Sequence, residues 1–162
     1  MLIKIIFRVE DRLVHGQVIE GWIRHYKIRH VLIVNNKIME DSLQQVIYSS
    51  ILPSGCKLGL YNKLDFKRIF KTIPVSGYML VLFENIGDLY DMKDLLSEKI
   101  YINIGCLASR EHKIQISDTV FLNIEELALL SKLREDHNIY IKKLPWDTNI
   151  EIKNFVDYLT KL

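Results

Sequence analysis

Short apolar runs alternate with stretches of helical periodicity along nearly the whole chain, and this alternation limits the possible folds more than any other feature. HVLIV at His30–Val34, YMLVLF at Tyr78–Phe83 and IYINI at Ile100–Ile104 have almost no polar positions. A strand that is apolar on both sides must be covered on both faces, as a central strand of a parallel sheet is. Residues 2–8 read as a first strand, Lys57–Tyr61 as a weaker one, 113–122 as one or two short strands, and 139–144 as the last, ended by Pro145. Between them, Val18, Ile19, Trp22, Ile23 and Tyr26 recur at helical spacing in 16–26. Ile38, Met39, Leu43, Val46, Ile47 and Ile51 share one face of 38–51, which Pro53 and Gly55 terminate. A short helix runs to about Phe70, and 86–97 is helical. Asn123 followed by Glu126 resembles a capping pair opening a helix to about Asp136. Asn149 opens a C-terminal helix with Ile152, Phe155, Val156 and Leu159 on one face.

Strands separated by helices of these lengths require right-handed crossovers. The expected architecture is α/β: one doubly wound, mostly parallel sheet with helices on both faces, spanning 1–162 as a single domain without linker or internal repeat. Ligands of such sheets bind beyond the carboxyl ends of the strands. Those ends are the loop 9–15, Asn35 and Asn36, Glu84 and Asn85, and 105–107, and they are expected to converge on one crevice.

The first of these loops carries the most chemistry. In RVEDRLVHGQV, residues 8–18, the first apolar run gives way to Arg8, Glu10, Asp11 and Arg12, then His15, Gly16 and an amphipathic stretch. An imidazole beside a helix N-terminus, with two guanidinium groups close in sequence, suits a transient anion and above all a phosphoryl group. His15 is the candidate nucleophile and Arg12 the charged clamp. Arg8, near the end of the strand, reaches either the site or a surface carboxylate. Asp11 either fixes the imidazole tautomer or orients Arg12. The N–H groups of Gly16, Gln17 and Val18 supply fixed donors, and Gly16 lets backbone approach phosphate oxygens without a Cβ.

This segment resembles the start of the IIB component of mannose/fructose/sorbose-class sugar phosphotransferase systems, R-[IV]-D-D-R-L-[IV]-H-G-Q-V. Only Glu10, in place of Asp, departs from it. Weaker matches follow: Asn35-Asn36; Phe83-Glu84-Asn85, with Glu84 where Lys is common; Asn103-Ile104-Gly105-Cys106-Leu107, with Cys106 in place of Gly and Leu107 in place of Met; and Leu144-Pro145. The resemblance implies a sheet of about seven strands, all but one parallel. It implies His15 as phosphoryl acceptor through Nδ1 and Arg12 as phosphate partner. It further implies a IIA phosphohistidine as donor, and a sugar held by a membrane IIC/IID complex as final acceptor. Two other readings stand beside it: a regulatory or phosphorylation-sensing module on the same fold, and a small-molecule-binding α/β domain. The sugar and the oligomeric state are left open.

Composition narrows the alternatives. The net charge is +2 and no dense Lys/Arg run occurs, which argues against a nucleic-acid partner. The N-terminal apolar run, interrupted by Lys4, is too short for a signal peptide or a membrane span, so a cytoplasmic location is expected. Cys56 and Cys106 lie far apart outside any C-x-x-C pair and are expected to be reduced thiols. His25, His30, His112 and His137 have no metal-ligand spacing, so no metal is expected. The absence of G-x-G-x-x-G, Walker A, H-E-x-x-H and G-x-S-x-G patterns leaves no cofactor implied. Trp22 and Trp146 are candidates for a docking rim, although Trp22 also falls on the apolar face of its helix.

Overall fold

In the computed structural model, which describes residues 4–74, 77–97 and 100–152, the apolar runs become strands close to where the sequence puts them. In chain order they are β1 (Lys4–Val9), β2 (His30–Val34), β3 (Lys57–Tyr61), β4 (Tyr78–Phe83), β5 (Ile100–Ile104), β6 (Ile114–Ser117), β7 (Val120–Leu122), β8 (Ile139–Ile141) and β9 (Ile150–Glu151). Seven of them form one sheet in the order β3-β2-β4-β1-β5-β8-β9, and β6 and β7 make a separate antiparallel ribbon. Every pairing in the large sheet is parallel except β8 with β9.

Side-chain alternation divides the core in two. Ile6, Val31, Ile33, Leu80 and Leu82 face one side, where Val18, Trp22 and Ile23 cover them. Phe7, Val9, Leu32, Val34, Met79, Val81, Phe83, Ile102 and Ile104 face the other. There they meet Phe66 of α2 (Lys63–Ile69), Ile86 and Leu89 of α3 (Ile86–Tyr90), and Leu127, Leu130 and Leu133 of α4 (Ile124–Arg134). Asn62, Asn85 and Asn123 cap these three helices, and Asn123 with Glu126 forms the expected capping box. Among the described residues no helix is long and apolar enough to cross a membrane.

Four expectations need correction. The stretch 16–25 is helical, but its centre, Val18–Ile23, is a π-helix. Gly21, Trp22 and Ile23 all turn inward there, and a Cβ on Gly21 would lie 2.7 Å from Leu144 Cδ2. The helix expected over 86–97 breaks into α3 and a 3-10 turn, Lys93–Leu95. The strand expected over 139–144 stops at Ile141, because the carbonyls of Lys142 and Lys143 turn to accept from Arg8. Asn149 opens no helix at 150–151, which instead pairs antiparallel with Tyr140 and Ile141. Phe155, Val156 and Leu159 lie outside the described residues.

The remaining helix, α1 (Ser42–Ile51), buries none of its residues. Of the apolar face read from the sequence, only Ile38 is buried, whereas Met39, Leu43, Val46, Ile47 and Ile51 are exposed. Asp41 caps α1 by accepting from Gln44 N, and Gln45 Nε2 ties it back to the carbonyls of Ile38 and Met39. Val46→Glu should therefore change unfolding free energy by no more than about 0.5 kcal/mol. Phe66→Ala, in the second core, should lower it by about 3–5 kcal/mol. Urea denaturation of the two variants checks the contrast, and a large loss in Val46→Glu would show that the face is covered.

Tyr101 on β5 stacks on Tyr140 of β8 with centroids 5.5 Å apart and planes 13° from parallel. Burial, with smaller contributions from Tyr26 and Tyr140, pushes its phenol up to about 12. The unfolded chain releases this proton near pH ~10, well below the folded state. The stabilisation is thus complete below that pH and disappears as pH rises towards the folded value. Unfolding free energies measured from pH 8 to 12 should fall more steeply for the wild type than for Tyr101→Phe.

Candidate functional site

The site is built on a charge buried inside the sheet. Arg8 of β1 lies in register with Asn103 of β5, and both are fully buried. Arg8 Nη1 donates to Asn103 Oδ1 and to Lys142 O at 2.9 Å. Nη2 donates to Glu10 Oε2 at 2.7 Å and to Lys143 O at 3.3 Å. The guanidinium lies 4.8 Å from the Trp22 ring centroid, and Trp22 Nε1 also donates to Lys143 O. Burial pushes the Arg8 guanidinium below the usual arginine value, while Glu10 opposes the shift. Gly105 makes room for the pair: a Cβ there would come within 2.6 Å of Glu10 Oε2 and closer still to Arg8 Nη2.

Past Val9 the ladder continues for two residues. Glu10 N donates to Phe83 O, Gly105 N to Val9 O and Asp11 N to Cys106 O. The chain then turns sharply. Leu13 N returns to Glu10 O, and Leu13 adopts a left-handed φ of 51° while its side chain is buried. Few non-glycine residues adopt that conformation, and it persists where the surroundings hold it. His15 follows, with Nδ1 3.1 Å from Leu13 O and Nε2 2.9 Å from Arg12 Nη2. Glu10 Oε1 lies 3.9 Å from the same Nε2. Ile19 N donates to His15 O, so the helical stretch begins directly after the histidine. The N–H groups of Gly16, Gln17 and Val18 then occupy its first turn, where helices leave donors unpaired.

A partly exposed imidazole thus has one exposed guanidinium against it and a buried carboxylate behind it. The sequence matches the profile of the phosphotransferase-system sorbose subfamily IIB component across residues 4–162. The chain belongs to the sorbose-subfamily IIB components. Among its relatives, the fructose-specific EIIB component of Bacillus subtilis is 22% identical over 97% of this chain and 98% of its own length. The mannose-specific EIIAB component of Escherichia coli is 20% identical over 95% of this chain, which spans only 48% of that longer protein. Of solved structures, manxB from Thermoanaerobacter tengcongensis is 25% identical with a TM-score of 0.81, covering 96% of both chains. The IIBSor domain of the Klebsiella pneumoniae sorbose permease is 21% identical with a TM-score of 0.80 over 98% and 97%. As a IIB component the chain is a phosphocarrier subunit and a phosphotransferase.

In this IIB component, Arg12 and His15 come together as the sequence suggests, and two neighbours do not do what it suggests. Arg8 is no phosphate ligand at the open face, because its guanidinium is fully buried and committed to Glu10, Asn103 and two carbonyls. Asp11 turns towards the β5 side and accepts from Ala108 N at 2.8 Å, while a backbone carbonyl, Leu13 O, faces the imidazole Nδ1. The other strand-end residues serve local structure. Asn35 Nδ2 donates to Glu84 Oε2, Asn36 Oδ1 accepts from Lys63 N, and Asn85 caps α3. Sequence reasoning missed Glu10 as a neighbour of His15. The alternation of β1 contains that signal, since Arg8 and Glu10 fall on the same side of the strand.

Cys106, beside the pair, uses its backbone N–H on Glu10 Oε2. Burial pushes its thiol up, Glu10 adds to the shift, and Arg8, Arg12 and Lys143 oppose it. A thiol held protonated is a poor nucleophile.

Two glycines of the motif make opposite predictions. Gly105→Ala forces the buried pair apart and should cost about 1–3 kcal/mol of stability. The Cβ of Gly16→Ala meets nothing within 4 Å, so the variant should be as stable as the wild type or up to about 1 kcal/mol more stable. Thermal unfolding of the two purified variants distinguishes these outcomes.

Proposed function

We propose that His15 accepts a phosphoryl group from a IIA phosphohistidine and passes it to a sugar bound in a membrane IIC/IID complex. The observation that carries this reading is the Arg12 guanidinium set 2.9 Å from His15 Nε2 at the exposed end of the loop. A phosphoryl group in transfer spreads negative charge over its equatorial oxygens, so the protein contributes position and fixed positive charge. Arg12 supplies the charge, the first-turn N–H groups of Gly16, Gln17 and Val18 supply donors, and the imidazole supplies the electron pair. A phosphorylated imidazole keeps a high transfer potential, which suits a relay. The E. coli relative that joins A and B components in one chain supports a IIA partner. The relatives named above are specific for fructose and mannose, and we leave the sugar of this chain open because the membrane partner holds it.

Donor and acceptor must reach the same imidazole, so they use the face around the His15 loop in turn. Trp146 is 63% exposed on the segment that follows the carbonyls holding Arg8, with its ring against His25, and is the aromatic rim residue. Trp22 is fully buried beneath Arg8 and belongs to the core instead. The relatives compared above are transport components, and none of these observations favours the regulatory reading.

Incubation with phosphoenolpyruvate and the upstream carriers should place acid-labile, base-stable label on His15. His15→Ala should take up none and Cys106→Ser should keep it. Label retained in His15→Ala would refute the assignment. Lysine cannot copy the forked guanidinium, so Arg12→Lys should slow single-turnover transfer at least ~10-fold, or ~1.4 kcal/mol, with little change in stability.

A further inference from the structure

Among the described α-helices, α1 stands apart in its chemistry as well as in its exposure. α2, α3 and α4 each carry charged side chains, whereas Ser42–Ile51 carries none. Met39, Leu43, Val46, Ile47 and Ile51 form its outer side, with Leu43 69% and Val46 65% exposed. From Leu43 they follow the i, i+3, i+4, i+8 spacing of a seam that packs on another helix. The polar groups between them need no water. Ser49 Oγ donates to Gln45 O, Ser50 Oγ to Ile47 O, and Gln45 Nε2 to Ile38 O and Met39 O. Covering this face therefore strands no side-chain donor of those three residues. The inner side, Tyr48 and Leu52, already packs on the core beneath.

Charge selects the partner. The two ends of the seam have opposite signs. Glu40 and Asp41 outnumber Lys37 at the start of α1, and Arg29 and Lys57 flank the turn that ends it. A second copy of this chain, turned antiparallel about a twofold axis, satisfies both features at once. Apolar seam lies on apolar seam, and each acidic end meets the other copy's basic end. An anionic membrane surface fits worse, because the helix offers it no Lys or Arg and places two carboxylates at one end. The area suffices. The five side chains expose about 450 Å² per copy, so a pair hides about 900 Å² of apolar surface and, with the polar rim, about 1,300 Å² in all, within the range of specific interfaces. We infer that α1 is the interface of a homodimer in which the helices of two copies pack antiparallel, with Ile47 at the twofold axis and Leu43 opposite Ile51.

This face does not compete with the relay. α1 follows β2 and packs on β3, and three inter-strand steps, about 14 Å, separate β3 from β1. α1 also runs from the carboxyl towards the amino ends of the strands. Antiparallel pairing thus opens the two His15 loops at opposite ends of the dimer. The inference does not depend on which residue carries the phosphoryl group.

Sedimentation equilibrium of the full chain, from about 1 µM to about 1 mM, tests it. The wild type should pass from monomer to dimer, with a midpoint of about 1–100 µM for an interface of this small size. Leu43→Glu, Val46→Glu and Ile51→Lys should each remain monomeric throughout. An equimolar mixture of Leu43→Glu and Ile51→Lys should dimerise again, because antiparallel packing sets Glu against Lys at one contact and keeps Leu against Ile at the other. At the lowest concentration all three variants should unfold in urea as the wild type does, and Val46→Glu should take up phosphoryl label at the wild-type rate. A wild type that is still monomeric at the highest concentration would overturn the proposal. So would dimers of Val46→Glu, or a mixture that stays monomeric. Capture of a monomeric wild type by anionic vesicles, lost in Val46→Glu, would assign the face to a membrane instead.

Discussion

A guanidinium inside a parallel sheet is the interaction on which the rest of the site depends. Burying an unpaired charge is prohibitively unfavourable, so the chain around Arg8 must supply acceptors to its two terminal nitrogens, Nε being left without one. It does so with Glu10 from the same strand, Asn103 from the neighbouring one, and the carbonyls of Lys142 and Lys143 beyond β8. Each requirement shapes something else. The carbonyls of Lys142 and Lys143 turn out of the ladder, and β8 ends at Ile141. Trp22 packs beneath the guanidinium and its indole shares Lys143 O, which fixes the π-helical turn against segment 142–146. Position 105 has no room for a side chain. The charge cluster thus ties together β1, β5, the end of β8 and the first helical stretch, the elements around the His15 loop.

The loop sets buried groups and one exposed guanidinium around the same ring. Glu10 belongs to the sheet, Leu13 is held in a left-handed turn by its buried side chain, and His15 sits at a helix start. These fix the imidazole plane. Arg12 alone of the charged groups nearest the ring faces solvent, and the proposed relay gives that exposure a use. A clamp bound rigidly to a phosphoryl group would hold it in the ground state as well as in transit, and a relay gains only from contacts that strengthen during transfer.

Much of the architecture could be read from the sequence because strands covered on both faces are unmistakably apolar. His30–Val34, Lys57–Tyr61, Tyr78–Phe83 and Ile100–Ile104 have the expected limits. Elements went astray where tertiary demands override local pattern. The stripe of α1 is as regular as that of a core helix, yet it faces solvent, since periodicity shows that residues share a face and not what the face meets. Residues 142–143 look like strand and are bent by a charge more than a hundred positions away. The contact of Arg12 with His15 was legible because the two are close in sequence on one loop. The roles of Arg8 and Asp11 were not, since whether a charge points into the sheet or out of it depends on partners such as Asn103 and Ala108 from distant segments.

The positions at which the sequence departs from the resembled motif differ in what the structure does with them. Cys106 replaces a small residue, but the site uses only its backbone N–H, which any residue except proline provides. Glu84 stands where a cation is common and is satisfied by Asn35 across the ends of β2 and β4, away from the imidazole contacts. Glu10 is the consequential change. Its extra methylene lets one carboxylate oxygen meet both Arg8 and Cys106 N while the other is left facing His15. A carboxylate restrained by two donors on one oxygen cannot turn to pair both oxygens with its holders. The unpaired oxygen is therefore enforced by the same buried charge that shapes the sheet, and it lies 3.9 Å from His15 Nε2.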